Sequence, residues 1–529
     1  MKSSRRWAYA IWLVLIGGFA VLHALNLRAD FPNHSPWIDD WAKYTDEGWY
    51  GNAAIRAHLF GSWYLKGDFN PAVAVPLWPF LEWLLFFVTG VTVEAARGLA
   101  IAFFFANLLF SYLLLRARGP KWMALLAVTM LVTSPFLYCF SRLAILEPVL
   151  TTLTLAALNV AVRLQRFGRP LAASAGIGLL FTLMMLTKTT ALFLLPALVW
   201  AMVAPLWRER RLAMRCTLAA GAAFALSFGL WMGLVARSGL STDYKYLFVV
   251  NKYVKPAEFY WPLLSLWWSL HGGLWIDHIL VPLAGLVFVG ALVSATVLAR
   301  RAPWGREFLL DPVIGASLWA VAGYILFMTY QNHPQPRYFA VVAFFCFFVA
   351  AQGIEALLRQ PGWGRRLGWV AVGLASAAVG IDAMWTLNFA AHPEYSFVEA
   401  AGRLTRYIDT HPNGKRLLLS ISGDEITLIT HLPTICDDFG TQDLPGKIAL
   451  YQPGWYATWN DLDPGTLEDI HTHYRLEQVA SFRAFDDPDR NELVLFKLHP
   501  WPDGNVPEPD EKTGLNVPLP EDKIDIPVE

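Results

Sequence analysis

The feature that most constrains this chain is a series of long apolar runs separated by short clusters of arginine. A helix needs about 20 apolar residues to cross the hydrocarbon core of a bilayer. Runs near that length occur at 7–27, 97–115, 122–139, 149–163, 171–187, 189–207, 216–235, 276–299, 313–330, 338–357 and 367–386. Of the 529 residues 55% are hydrophobic and only 16% charged, against roughly 25% charged in a soluble domain. A formal net charge of zero argues against binding nucleic acid through a basic surface. The reading is a polytopic α-helical membrane protein of about eleven transmembrane helices.

The arginine clusters give an orientation. Arg5/Arg6, Arg116/Arg118/Lys121, Arg163/Arg166/Arg169, Arg208/Arg210/Arg211/Arg215, Arg300/Arg301/Arg306 and Arg359/Arg365/Arg366 alternate with the runs, so all fit one face. Lys and Arg concentrate in cytoplasmic loops, which puts the N-terminus inside. The outer face receives 28–96, 140–148, the turn at Lys188, 236–275, 331–337 and everything after about 387. Lys2, Arg5 and Arg6 before an apolar run mimic a signal peptide, but His23 to Arg28 is a poor cleavage site, so an uncleaved first helix is expected. Counting Pro76 to Gly90 as a span would reverse every later cluster. Short, aromatic and carrying Glu82, it reads as an interfacial helix on the outer leaflet.

After Asn388 charges are spread as in a soluble protein. The expected organisation is a membrane domain over 1–387 that includes the outer loop 28–96, a soluble outer α/β domain over 388–500, and a disordered tail over 501–529. Phe397–Thr410 has helical spacing, Arg416–Ile421 and Leu493–Leu498 read as buried strands, and Asp461–Tyr474 as a helix region. The four cysteines have no regular spacing and read as small buried hydrophobes, neither disulfides nor zinc ligands.

Ionisable residues near a membrane are functional candidates by default. Here they gather on the outer face. The first outer loop carries Asp39, Asp40, Asp46, Glu47, Arg56, His58, Lys66 and Asp68; the next carries Arg142 and Glu147. A later turn holds Lys188, and another runs from Gln331 through His333 and Arg337 to Tyr338. A carboxylate can deprotonate an acceptor hydroxyl, while Lys and Arg can hold a phosphate leaving group. That combination reads as group transfer from a lipid phosphate. A transporter or flippase of a lipid-linked sugar is the alternative, but it should place charge near the bilayer midplane, where these runs have almost none.

At these residues the chain resembles a known family. Asp46-Glu47-Gly48-Trp49-Tyr50, followed by Gly67-Asp68-Phe69-Asn70-Pro71, is similar to the first-loop signature of family-39-like membrane glycosyltransferases of GT-C type. That group includes protein O-mannosyltransferases and the aminoarabinose transferases that modify lipid A. Arg142 and Glu147 resemble its second acidic motif, Leu186-Thr187-Lys188 its lysine turn, and Pro336-Arg337-Tyr338 its late outer arginine-tyrosine. The resemblance covers about 1–385 and implies a GT-C-like fold.

It also implies a polyprenyl-phosphate sugar donor and an inverting transfer to a hydroxyl of a glycan, lipid or protein. Asp46 would be the general base and Glu47 its neighbour in the site. Tyr50, Arg56, Arg142, Glu147, Lys188, His333, Arg337 and Tyr338 would line the donor and its phosphate. Two positions depart from the family pattern: Arg56 comes one residue late, and Glu147 stands where many relatives have Asp. No cofactor is expected; a divalent cation on Asp46, Glu47 and Glu147 is conceivable by ligand type but not favoured. Short loops without disulfides suit a bacterial inner membrane with a periplasmic site.

Each assignment has a plainer competitor. Asp46 or Glu47 can cap a helix, Arg142 and Glu147 can form a structural ion pair, and Lys188 can snorkel to headgroups. Asp424-Glu425 and Asp437-Asp438 read as a solvated face.

Overall fold

A computed structural model describes residues 2–37, 40–247, 261–276, 280–298, 308, 310–331 and 335–501. The expectations for Asp39, His333, part of the loop 236–275 and the tail beyond 501 lie outside these residues. The chain divides into two compact units. The first is Met1–Leu25, Gly98–Gly239 and Asn251–His392; the second is Asn26–Arg97, Leu240–Val250 and Pro393–Glu529.

The first unit is helical. Each expected span holds helical structure, as one helix in Lys2–Ala24, Glu147–Ala161, Pro170–Thr187, Arg210–Arg237, Pro312–Gln331, Phe339–Leu358 and Trp363–Ala391, and in successive shorter pieces over 122–139 and 189–207. Among the described residues seven helices are long and apolar enough to cross a membrane. Four other expected spans contain shorter apolar stretches: Tyr9–Ala24, Lys121–Thr133, Glu147–Ala161 and Leu280–Gly290.

The run at 122–139 is shortened for a visible reason. Pro135 cannot donate to a continuing helix, so the backbone turns extended at Ser134, whose Oγ accepts from Leu137 N at 3.2 Å and caps a new short helix, Pro135–Phe140. Helices Pro170–Thr187 and Arg210–Arg237 approach closely at Gly178, where a Cβ would lie 2.1 Å from the carbonyl of Ala220. The outer face of Arg210–Arg237 is bare and apolar, with Leu226 and Leu230 about seven-tenths exposed (71% and 72%). A surface of that kind suits contact with lipid. The chain is a multi-pass membrane protein.

The second unit is built on a five-stranded sheet: β1 (Leu418–Leu419), β2 (Thr434–Ile435), β3 (Trp455–Trp459), β4 (Tyr474–Arg483) and β5 (Glu492–Pro500), in the order β2-β1-β3-β5-β4. β1 is parallel to β2 and β3, and β5 is antiparallel to β3 and β4. Alternation decides which side chain goes where. Trp455, Ala457, Trp459, Leu493 and Leu495 pack with Phe397, Leu404 and Ile408 of the amphipathic helix Ser396–Thr410. Tyr456, Val494, Phe496 and Leu498 form the opposite layer with Ile448, Leu467 and Ile470.

The first outer loop, counted above with the membrane half, packs into this unit. Asp30 accepts from Phe397 N at 2.7 Å and so caps Ser396–Thr410. Tyr44 enters the sheet's core and donates to Asp487 at 2.6 Å. The apolar helix expected between Pro76 and Gly90 spans Leu77–Thr89; it leaves Phe87 and Val88 exposed while Glu82 is buried.

Candidate active site

The candidate residues fall into two groups, one in each unit. In the second unit the helix Asp46–Phe60 begins after Thr45, and Asp46 and Glu47 occupy its first turn, where the helix dipole favours negative charge. Both are buried, 1% exposed. A carboxylate that deep needs a partner, and Glu47 has one: Arg97 Nε donates to Oε1 at 2.8 Å and Nη2 to Oε2 at 2.6 Å. This is the bidentate geometry in which a guanidinium matches a carboxylate. Arg97 Nη1 also donates to the carbonyls of Leu27 and Ala29, at 2.9 and 2.5 Å. One guanidinium thus ties together the loop leaving the first helix, the motif helix and the start of Val93–Arg116.

The helix Gly423–Thr430 lies directly against the motif helix. A Cβ on Gly48 would sit 2.1 Å from Glu425 N and 2.2 Å from the Asp424 carbonyl carbon, so only glycine fits at the third position of the motif. Gly48 N donates to Glu425 Oε2 at 2.7 Å, and Trp49 Nε1 donates to Ile421 O at 3.1 Å. One and two turns on, Asn52 donates to Asp424 Oδ2 at 3.0 Å and Arg56 to Asp424 Oδ1 at 2.9 Å. Burial, reinforced by the Glu47 charge, holds the Glu425 carboxyl well above the usual range, although Arg97 and the Gly48 N–H pull the other way. Glu82 is raised for the same two reasons, and its Oε2 lies where a Cβ on Gly51 would need to be.

Arg56, which the resemblance would place against the donor, has protein partners of its own. It is buried, with Asp68 Oδ2 at 2.8 Å, Asp424 Oδ1 at 2.9 Å and the Phe69 carbonyl at 3.3 Å. Two carboxylates occupy the guanidinium, which makes it a structural clasp between Asp46–Phe60 and Gly423–Thr430. The solvated-face reading of the late acidic pairs is also corrected: Asp424, Glu425 and Asp437 are buried. The reason is the supply of partners that sequence distance conceals. Arg56, Asn52 and Gly48 serve the first two, while the buried Lys447 acts on Asp437, whose carboxyl burial pushes up to about 7. Tyr50 is half-buried on the motif helix.

In the first unit the three later motifs meet. Glu147 opens the helix Glu147–Ala161, with Pro148 in its first turn, and its Oε1 accepts from Lys188 Nζ. Lys188 stands in extended backbone between Pro170–Thr187 and the 3-10 turn Thr189–Leu194. Its ammonium lies 4.8 Å from the ring centroid of Tyr338, and the Arg337 guanidinium lies 5.0 Å from the same ring, both within cation–π range. Arg337 and Tyr338 are presented by the 3-10 turn Pro336–Tyr338. Arg142 lies 4.6 Å from the Tyr138 ring and donates to its hydroxyl. All five motif residues are buried. The partner of Glu147 is therefore Lys188, 41 positions on, rather than Arg142.

Sequence reading did not single out Arg97 or Tyr138, and placed Glu425 on a solvated face. Arg97 stood at the edge of an apolar run, and a charge there was the available signal. Glu425 carried no signal beyond its acidity.

Residues 71–232 match the family described as dolichyl-phosphate-mannose-protein mannosyltransferase. No curated protein matches by sequence. Among solved structures the chain is similar to ArnT from Cupriavidus metallidurans bound to undecaprenyl phosphate, at 13% identity over 92% of this chain and 98% of that one, with a TM-score of 0.61. It is also similar to the apo oligosaccharyltransferase of Archaeoglobus fulgidus, at 12% identity over 93% and 74%, with a TM-score of 0.51. A third is the mycobacterial arabinofuranosyltransferase AftD, at 14% identity over 96% of this chain and 40% of that one, with a TM-score of 0.50.

Proposed function

We propose that the chain is a membrane glycosyltransferase of GT-C type, similar to family 39, which moves a sugar from a polyprenyl-phosphate donor to an acceptor hydroxyl at the outer face of the inner membrane. The observation that carries this reading is the buried Glu147–Lys188–Tyr338–Arg337 cluster, two cations on one aromatic ring. An ammonium has three donors, so its bond to Glu147 is compatible with an anionic second partner. In that role Lys188 and Arg337 hold the donor phosphate and stabilise the charge that grows on it as the sugar leaves. The undecaprenyl phosphate bound in the ArnT structure supports a donor of this class.

Asp46 acts as general base. It takes the proton of the acceptor hydroxyl, whose oxygen bonds to the anomeric carbon as the bond from that carbon to the phosphate oxygen breaks. Polyprenyl phosphate departs, and one displacement inverts the configuration; retention would require a carboxylate nucleophile and a covalent intermediate. Glu47, fixed by Arg97, anchors the turn that carries the base. The Lys and Arg loop pattern supports a cytoplasmic N-terminus with both motif groups and the sheet domain outside.

The test is transfer from labelled polyprenyl-phosphate sugars by purified protein, wild type beside Asp46→Asn. Label leaves the lipid with wild type, and the variant slows this by about 10²-fold or more. Lipid binding without turnover by both proteins would refute the reading and favour transport.

A further inference from the structure

The soluble sheet domain contributes a side chain to the motif turn, through a contact that no motif in the sequence announces. Helix Gly423–Thr430 begins with Asp424 and Glu425, and the two do different things. Asp424 grips the second and third turns of the motif helix through Asn52 and Arg56, which is a packing role. Glu425 reaches the first turn, accepting from Gly48 N one residue past Glu47 and two past Asp46. The contact is tight enough to exclude any side chain at residue 48. The second oxygen, Glu425 Oε1, is buried and has no hydrogen-bond partner among the described residues.

From this geometry we infer that Glu425 is a positioning residue for transfer: it sets the first turn of Asp46–Phe60, and with it the general base, from the C-terminal domain. The inference rests on the reading of Asp46 given above. Asp46 and Glu47 on the motif helix and Arg97 on Val93–Arg116 are the charged groups that act on Glu425, and the like charges of the two carboxylates favour its neutral form. A neutral Glu425 accepts from Gly48 N with one oxygen and carries a proton on the other. It can therefore sit beside two anionic carboxylates without repelling them. The same side chain ionised would push Asp46 and Glu47 apart and loosen the turn.

The neutral acid has a close mimic in glutamine, whose carbonyl accepts and whose NH2 donates. In the labelled-donor assay Glu425→Ala should lower kcat by about 10- to 100-fold, the scale of a misplaced catalytic group, with donor KM unchanged. Glu425→Gln should restore kcat to within about threefold of wild type and keep its pH profile. Loss in both variants, or a profile in Glu425→Gln shifted along its acidic limb, would overturn the neutral positioning role. Wild-type kcat in Glu425→Ala would overturn positioning altogether. If wild type itself fails to transfer, the functional reading falls first. If Asp46→Asn abolishes transfer while both Glu425 variants match wild type, only this inference falls. Size-exclusion and melting profiles in the same detergent separate either result from misfolding, and rescue by glutamine is a change that simple packing loss in alanine would not predict for kcat alone.

Discussion

Removing Arg56 tests whether its guanidinium is a structural clasp or a ligand for the donor. In Arg56→Met the hydrogen bonds to Asp68 and Asp424, at 2.8 and 2.9 Å, disappear from a site where Arg56 is 2% exposed. Breaking a buried pair from one side costs about 3–5 kcal/mol, because the remaining charge is stranded. At 1.4 kcal/mol per tenfold, the second unit opens roughly 10²- to 4 × 10³-fold more often. Asp68 keeps the Cys436 N–H at 3.1 Å and Lys447 at 3.8 Å, whereas Asp424 keeps only Asn52 among its named partners, so Asp424 bears most of the loss.

This gives the effect a pH dependence of known sign. Burial already raises the Asp424 carboxyl from 3.8 to about 6 in the presence of Arg56. A carboxyl whose folded value is raised binds its proton more tightly in the native state, so its contribution to stability is greatest at low pH and falls as pH rises through that window. Without Arg56 the cost of ionisation grows. The difference between variant and wild type should therefore be largest at neutral pH and shrink below about pH 5. Hydrogen exchange across Asp46–Phe60 and Gly423–Thr430, in detergent at two pH values, measures it. Wild-type protection in Arg56→Met together with weaker donor binding would refute the clasp and restore Arg56 as a donor contact.

Two further outcomes follow from the same contacts. Gly48→Ala drives a Cβ into the backbone at Asp424 and Glu425; overpacking of that kind costs about 1–3 kcal/mol, and both melting temperature and transfer should fall, whereas unchanged melting would show that the two helices are not in contact. Lys188→Met strands Glu147 and should reduce folded yield while raising donor KM about tenfold or more. Adding Glu147→Gln should recover yield but not KM, and recovery of both would mean that the lysine only neutralises its partner.

The family resemblance and the membrane architecture were legible in the sequence because both are local. A run of apolar residues needs no partner to declare a helix in lipid, since the backbone satisfies its own hydrogen bonds there. The candidate motifs declared themselves by residue type. What remained hidden was pairing. Glu147 has an arginine five positions away and chooses a lysine 41 away. Glu47 is matched by Arg97, and Arg56 by an aspartate 368 positions on. Asp424 and Glu425 read as a solvated face because nothing near them in sequence could justify burying two acids.

Local sequence thus determined where helices form, where they break and which segments carry charge. Only the tertiary structure decided which of those charges are neutralised inside the protein. The physical reason is that a buried carboxylate is tolerable only with its partner in place, and that partner is supplied by whichever segment the fold brings alongside.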